Sequence, residues 1–107
     1  MKILFDQGTP APLRRALNAH LIVTAFEQGW SNLKNGDLIQ AAEAANFQVL
    51  ITTDQNLKYQ QNLTERKLAI LVLPTTSWPK FQNHLSAIST AVNLLKPGDY
   101  HELNFSH

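Results

Sequence analysis

Short apolar runs alternate with amphipathic stretches along the chain, and the alternation predicts its elements. Lys2 to Phe5 reads as a strand ending at Asp6-Gln7-Gly8, and Thr9-Pro10 then has the form of a capping threonine with proline at the first helical position. Leu13, Ala16 and Leu17 place an apolar stripe on the helix that follows. Leu21-Ile22-Val23-Thr24 reads as a second strand, so the chain opens as a βαβ unit. Asn35-Gly36 signals a turn, and Asp37 is a good N-cap for a helix with Leu38, Ala41, Ala42 and Ala45 on one face. Gln48 to Thr52 and Leu68 to Leu73 are continuous apolar runs rather than alternating ones, as expected of central strands covered on both faces. Phe81 to Leu95 is a helical pattern closed by Pro97-Gly98, and Tyr100 to Phe105 is a candidate edge strand. Buried strands separated by helices predict an α/β fold in three layers, with a mostly parallel sheet of about five strands and right-handed crossovers. No repeat, low-complexity segment or linker interrupts the pattern, so residues 1–107 read as a single domain.

Composition changes this picture in a few places. A chain of 107 residues with 44% apolar and 16% charged positions can bury one core and is not disordered. A net charge of +1 provides no global basic field, so any nucleic-acid contact must be local. The absence of cysteine excludes disulfides, thiolate zinc sites and cysteine nucleophiles. Ile3-Leu4-Phe5 is too short for a signal-peptide core, and no stretch approaches the roughly 20 apolar residues of a membrane span. The expectation is a soluble cytoplasmic protein with no membrane association.

In open parallel sheets, ligands bind beyond the carboxyl ends of the strands. Asp6 follows the first strand, Asp54 follows the strand ending at Thr52, and Asp37 opens a crossover helix whose N-terminus belongs at the same edge. Each has a purely local reading: an Asx-turn for Asp6, an N-cap for Asp37, and the cap of a short turn through Leu57 for Asp54. Together they form a candidate cleft of carboxylates, whose mutual repulsion a divalent cation relieves. Oxygen-only ligands favour Mg2+ or Mn2+ over zinc.

ILFDQ with its strand aspartate, the segment NGDLIQAAEAANFQVLITTDQNL and the spacing between them resemble PIN-domain nucleases, above all the short ribonuclease toxins of bacterial toxin-antitoxin pairs. The nearest likeness is to a compact bacterial PIN-like family with no assigned activity, and it spans nearly the whole chain, most strongly from Lys34 to Leu57. The family pattern has an aspartate at a helix start, small residues along that helix, and a strand ending Thr-x-Asp or Thr-x-Asn. Here these are Asp37, then Ala41, Ala42 and Ala45, then Thr52 and Asp54, with Asp6 matching the first acid. The resemblance implies a metal-dependent endoribonuclease, the toxin of a toxin-antitoxin-like pair, neutralised by a small antitoxin protein over the acidic cleft. Asp6, Asp37 and Asp54 would hold Mg2+ or Mn2+, and Thr52 would hydrogen-bond a neighbouring carboxylate or the scissile phosphate. The sequence departs from the family in two places. The usual helix glutamate between the first two aspartates has Glu27 as its sole candidate, which reads better as an exposed polar position. The aromatic after Thr-x-Asp is replaced by Leu57, an apolar exchange.

Arg14 and Arg15, on the helix after Asp6, are candidate phosphate contacts, although such a pair more often marks a solvated face. Lys34, Lys58, Arg66 and Lys67 are candidates for a basic rim. Trp30 and Trp78 can stack bases but more often pack a core. His20, His84, His101 and His107 lack the spacing of a zinc site. Phosphate-cradling glycine loops and the Gly-x-Ser-x-Gly elbow are absent. Two other functions compete: a catalytically silent PIN-like binding protein, given the unclear fourth acid, and a phosphoacceptor domain resembling response-regulator receivers, with Asp54 phosphorylated and Asp6 holding magnesium. Receivers carry paired acids after the first strand and a lysine after the fifth, and this chain has neither. Trp78, Phe81 and Leu85 suggest an apolar face for a homodimer.

Overall fold

The computed structural model describes residues 1–55, 57 and 66–105, with the backbone alone at residue 35. Lys58 and His107 lie outside the described residues. The elements run β1 (Lys2–Phe5), α1 (Leu13–Ala16), β2 (Leu21–Thr24), α2 (Asn35–Ala44), β3 (Val49–Thr52), β4 (Ala69–Val72), α3 (Trp78–Phe81), α4 (Leu85–Leu94) and β5 (Tyr100–Glu102). The strands form one five-stranded sheet in the order β2-β1-β3-β4-β5, and every pairing is parallel. The fold is therefore α/β, as the periodicity predicts.

The pleat divides the strand residues between two cores, because successive side chains point to opposite faces. Ile3, Phe5, Val49, Ile51, Ala69 and Leu71 pack with Leu13 and Leu17 near α1, Phe81 of α3, and Ile88 and Val92 of α4. On the other face Leu4, Leu50, Ile70 and Val72 pack with Leu38, Ile39 and Ala42 of α2. Covering on both sides explains why β3 and β4 are buried at every position and read as unbroken apolar runs. No helix among the described residues is long and apolar enough to cross a membrane.

Several local expectations are corrected. Thr9 does not cap α1: its buried hydroxyl donates to Ile51 O at 3.0 Å, and Pro12 occupies the N-cap of a helix only four residues long. Asp37 is not the N-cap of α2. The helix begins two residues earlier with Lys34 as N-cap, and Asp37 sits within the first turn, its N–H donating to Lys34 O at 3.0 Å. An acid there interacts favourably with the positive end of the helix dipole. The helical pattern from Phe81 to Leu95 is broken at His84, which adopts a non-helical φ of −129° and caps α4. Asn83 and His84 are weak helix formers, and the break leaves the His84 ring stacked on Phe105 at 4.2 Å. Phe105 lies beyond β5, which stops at Glu102. α2 ends in a Schellman motif, with Asn46 at φ +67° and Phe47 N–H donating to Ala42 O at 3.0 Å.

Candidate functional site

Strand order reverses direction between β1 and β3: from β1 the chain first adds β2 on one side, then crosses to add β3 and β4 on the other. At such a switch point the loops at the carboxyl edge diverge and leave a crevice. Asp6 stands at the end of β1 and Thr52 is the last residue of β3, so both fall at this crevice. Strand parity then aims them. Asp6 lies two positions beyond Leu4 and Thr52 two beyond Leu50, and Leu4 and Leu50 face α2.

The loops are joined by a compact set of hydrogen bonds. Thr52 Oγ1 donates to Asp6 Oδ2 at 2.8 Å and accepts the Asp54 N–H at 3.1 Å. Asp6 Oδ1 accepts the Gln7 N–H at 2.7 Å, so the carboxylate is anchored both locally and across the sheet. Ile51 O accepts the Asp6 N–H at 2.9 Å as well as the Thr9 hydroxyl at 3.0 Å. Gly8 lets the two loops approach, since a Cβ there would run into Thr53 Oγ1. The short turn after Asp54 also forms, with Leu57 N–H donating to Asp54 O at 3.4 Å. Local turns and a shared crevice thus coexist in the same residues.

Asp6, Thr52 and Asp54 line a pocket closed by Leu38, Ile39, Leu50 and Leu57, with about 10 Å3 of free volume. That is close to the ~10–15 Å3 which holds one water-sized group, so a single ion or water fits and a nucleotide does not. Asp37 is exposed and does not line this pocket, although its neighbours Leu38 and Ile39 do. Among the described residues, no three His, Asp or Glu side chains gather where one metal ion would meet them all.

Asp6 has a second opening. With Gln7, Thr9, Ala11, Thr24, Ala25 and Phe26 it borders an open cleft of about 540 Å3.

Among the described residues, Arg14, Arg15, Arg66 and Lys67 do not converge on this edge. Arg14 forms an ion pair with Glu27 and donates to Ile22 O at 3.0 Å. Arg15 borders a separate groove with Pro12, Ala16, Trp78 and Leu85. Arg66 lies 3.8 Å from Glu43, and Lys67 lines a groove at the opposite, amino edge of the sheet with Gln48, Leu68 and Lys96. Lys34 precedes α2, so of the described candidates for a basic rim it stands on a different element from Arg66 and Lys67.

Glu27 is set apart from the acidic pocket by its own bonds. Its carboxylate accepts the Thr24 N–H at 2.9 Å, its N–H donates to Thr24 Oγ1 at 3.1 Å, and the hydrogen bond from Arg14 holds its pKa below the usual carboxylate value. Thr24-Ala25-Phe26-Glu27 makes the reciprocal bonds of a capping box around a turn rather than a helix, and its Thr-x-x-Glu pattern is readable in the sequence. Trp30 packs edge-on against Phe47 at 5.9 Å, and Trp78 packs against the α1/α4 core. Phe81 is fully buried with its ring edge-on to Phe105 at 5.5 Å, which removes it from the suggested dimer face. Comparison with protein-family models, with curated proteins and with solved structures finds no match to this chain.

Proposed function

We propose that the protein is a small metal-dependent endoribonuclease of PIN-like kind, with Asp6 and Asp54 holding Mg2+ or Mn2+ and Thr52 positioning Asp6. The observation that carries this reading is the Thr52 hydroxyl, which ties a carboxylate on β1 to the Asp54 loop at the sheet's switch point. A buried hydroxyl engaged on both sides fixes the direction of the Asp6 carboxylate before any ligand arrives, the kind of orientation that partners of metal ligands supply.

The residues fit the cation in type, number and space. All donors are hard oxygens, magnesium is commonly held through one or two carboxylates with water and substrate phosphate completing its shell, and the pocket is ion-sized. When bound, the cation supplies neutralisation of phosphodiester charge and activation of water. Asp6 keeps unused lone pairs on both oxygens, because each accepts one hydrogen bond. Asp37, exposed on the first turn of α2, adds negative charge beside the pocket and acts at longer range than the other two. The substrate strand lies in the open cleft on the other side of Asp6. In a toxin-antitoxin-like pair, a small antitoxin protein would cover this same edge.

A second reading, a PIN-like protein that binds RNA without cutting it, is favoured by one observation. Glu27, the sole candidate for a further acid, is committed to Arg14 and Thr24. Incubation of purified protein with single-stranded RNA separates the two. Cleavage that requires Mg2+ or Mn2+, stops with a chelator and is lost in Asp6→Asn supports the nuclease; binding with no cleavage under any divalent metal supports the silent protein. Cleavage unchanged in Asp6→Asn removes the proposed site. Transfer of a phosphoryl group from a small phosphodonor to Asp54 would point instead to a receiver.

A further inference from the structure

Phe26 is 79% exposed, more than any other large hydrophobic side chain among the described residues. A single exposed apolar residue is ordinary, but the backbone beneath this one is unusually well fixed. The reciprocal Thr24 and Glu27 bonds enclose it. Gln28 N–H donates to Thr24 O at 3.1 Å, Gly29 N–H to Phe26 O at 3.0 Å, and Trp30 N–H to Ala25 O at 2.8 Å. Gly29 completes the turn at φ +78°, which glycine adopts without strain. Arg14 clamps Glu27 from the α1 side. Little backbone freedom remains to be lost when a flat ligand stacks on this ring, which favours binding.

The ring's location gives the ligand. Phe26 borders the open cleft of about 540 Å3 whose wall includes Asp6, a volume inside the ~300–1,000 Å3 range of ligand sites. Ala11 and Ala25, both small, line the same cleft. The same cleft wall thus offers an aromatic face for a base and, at Asp6, the carboxylate proposed to act on the backbone. We infer that Phe26 is a stacking platform for a base of single-stranded RNA, and that it positions the strand so that a neighbouring phosphodiester meets Asp6. The choice of ligand rests on the nuclease reading above. Every base has a π-face, so the platform sets affinity and register rather than sequence. Paired bases hide their faces in the duplex, so the platform selects single strands.

Binding of a fluorescent single-stranded oligoribonucleotide, followed by anisotropy in the Asp6→Asn background to prevent cutting, tests the inference apart from catalysis. Added Phe26→Ala should weaken binding by roughly five- to a hundredfold, the range of one base–aromatic stack. Phe26→Trp should restore it, while Phe26→Leu, apolar without a π-face, should not. Binding that is undetectable in the parent, equal in Phe26→Ala, or rescued fully by Leu overturns the inference, as does a dimer that Phe26→Ala dissociates with RNA affinity unchanged. Should the wild-type protein cut no RNA with any divalent metal while Phe26-dependent binding persists, the nuclease reading fails and the platform stands.

Discussion

Thr52 Oγ1 stands 2.8 Å from Asp6 Oδ2, a contact between the ends of two strands that pair in parallel through Phe5 and Ile51. The same hydroxyl accepts the Asp54 N–H, so it donates and accepts at once. Valine copies its shape and can do neither. Thr52→Val should therefore lower unfolding free energy by about 1–3 kcal/mol, the cost of leaving a buried polar partner unmade. Metal-dependent cleavage should fall by about 10- to 100-fold, as when the partner of a metal ligand is removed. Thr52→Ser keeps the hydroxyl and should recover most of both; damage equal to that of valine in denaturation and cleavage assays would rule out the hydrogen bond as the cause.

Asp54 and Asp37 should separate in a metal titration. Asp54 lines the ion-sized pocket with Asp6, whereas Asp37 is exposed on α2 and lines neither opening beside Asp6. Exposed charges interact through high dielectric and are screened by salt. Calorimetric titration with Mn2+ should show Asp54→Asn losing affinity by at least tenfold. Asp37→Asn should lose less, and its deficit should shrink as salt is added. A larger, salt-independent loss in Asp37→Asn would put that carboxylate in direct contact with the cation and require α2 to shift.

The strands are legible in the sequence because covering on both faces forces every position of Val49–Thr52 and Ala69–Val72 to be apolar or satisfied. Their order is not, since pairing of β1 with β3 rather than with a later strand depends on long-range packing. The candidate site follows the same division. That Asp6 and Asp54 end at one edge is readable from strand direction, but that Asp6 and Thr52 share a face requires the register that pairs Leu4 with Leu50. Asp37 and Thr9 carry strong capping propensity, and in both cases tertiary context prevailed. Lys34 begins α2 in extended conformation, and the Thr9 hydroxyl is drawn to Ile51 O, where it helps close the loop beneath Asp6. Phe26 has no signature of its own in the sequence; its exposure and the bonded turn beneath it appear only in the fold.

Two glycines allow a steric contact to be separated from backbone strain. Gly98 has φ +83° and a Cβ there would lie 2.6 Å from Arg66 O, whereas Gly29 has φ +78° and nothing within 4 Å. Alanine at either position takes on the left-handed penalty of about 1–2 kcal/mol. Gly98→Ala must also displace the backbone beside β4, where Gly98 N–H donates to Lys67 O at 2.9 Å. Urea denaturation should show Gly29→Ala losing about 1–2 kcal/mol and Gly98→Ala losing clearly more. Equal losses would mean that the loop before β5 yields without resistance.

Glu27 should make stability depend on acidity in one direction only. The hydrogen bond from Arg14 first, and the Thr24 N–H second, hold its carboxyl below the usual value in the folded chain. A group depressed on folding contributes fully above its unfolded pKa, and the contribution is lost as pH falls through the folded pKa. Glu27→Gln removes the charge at every pH but leaves an amide able to accept the Thr24 N–H. The difference in denaturation midpoint between wild type and Glu27→Gln should thus be open near neutrality and close as the solution becomes acid. Because the pair is exposed, the difference should be small and should narrow further in high salt. The same substitution loosens the turn that carries Phe26, so oligoribonucleotide binding in the Asp6→Asn background should weaken in parallel. A midpoint difference that widened toward acid would show that the ion pair with Arg14 is not what holds the turn, and the preorganisation claimed for Phe26 would lose its basis.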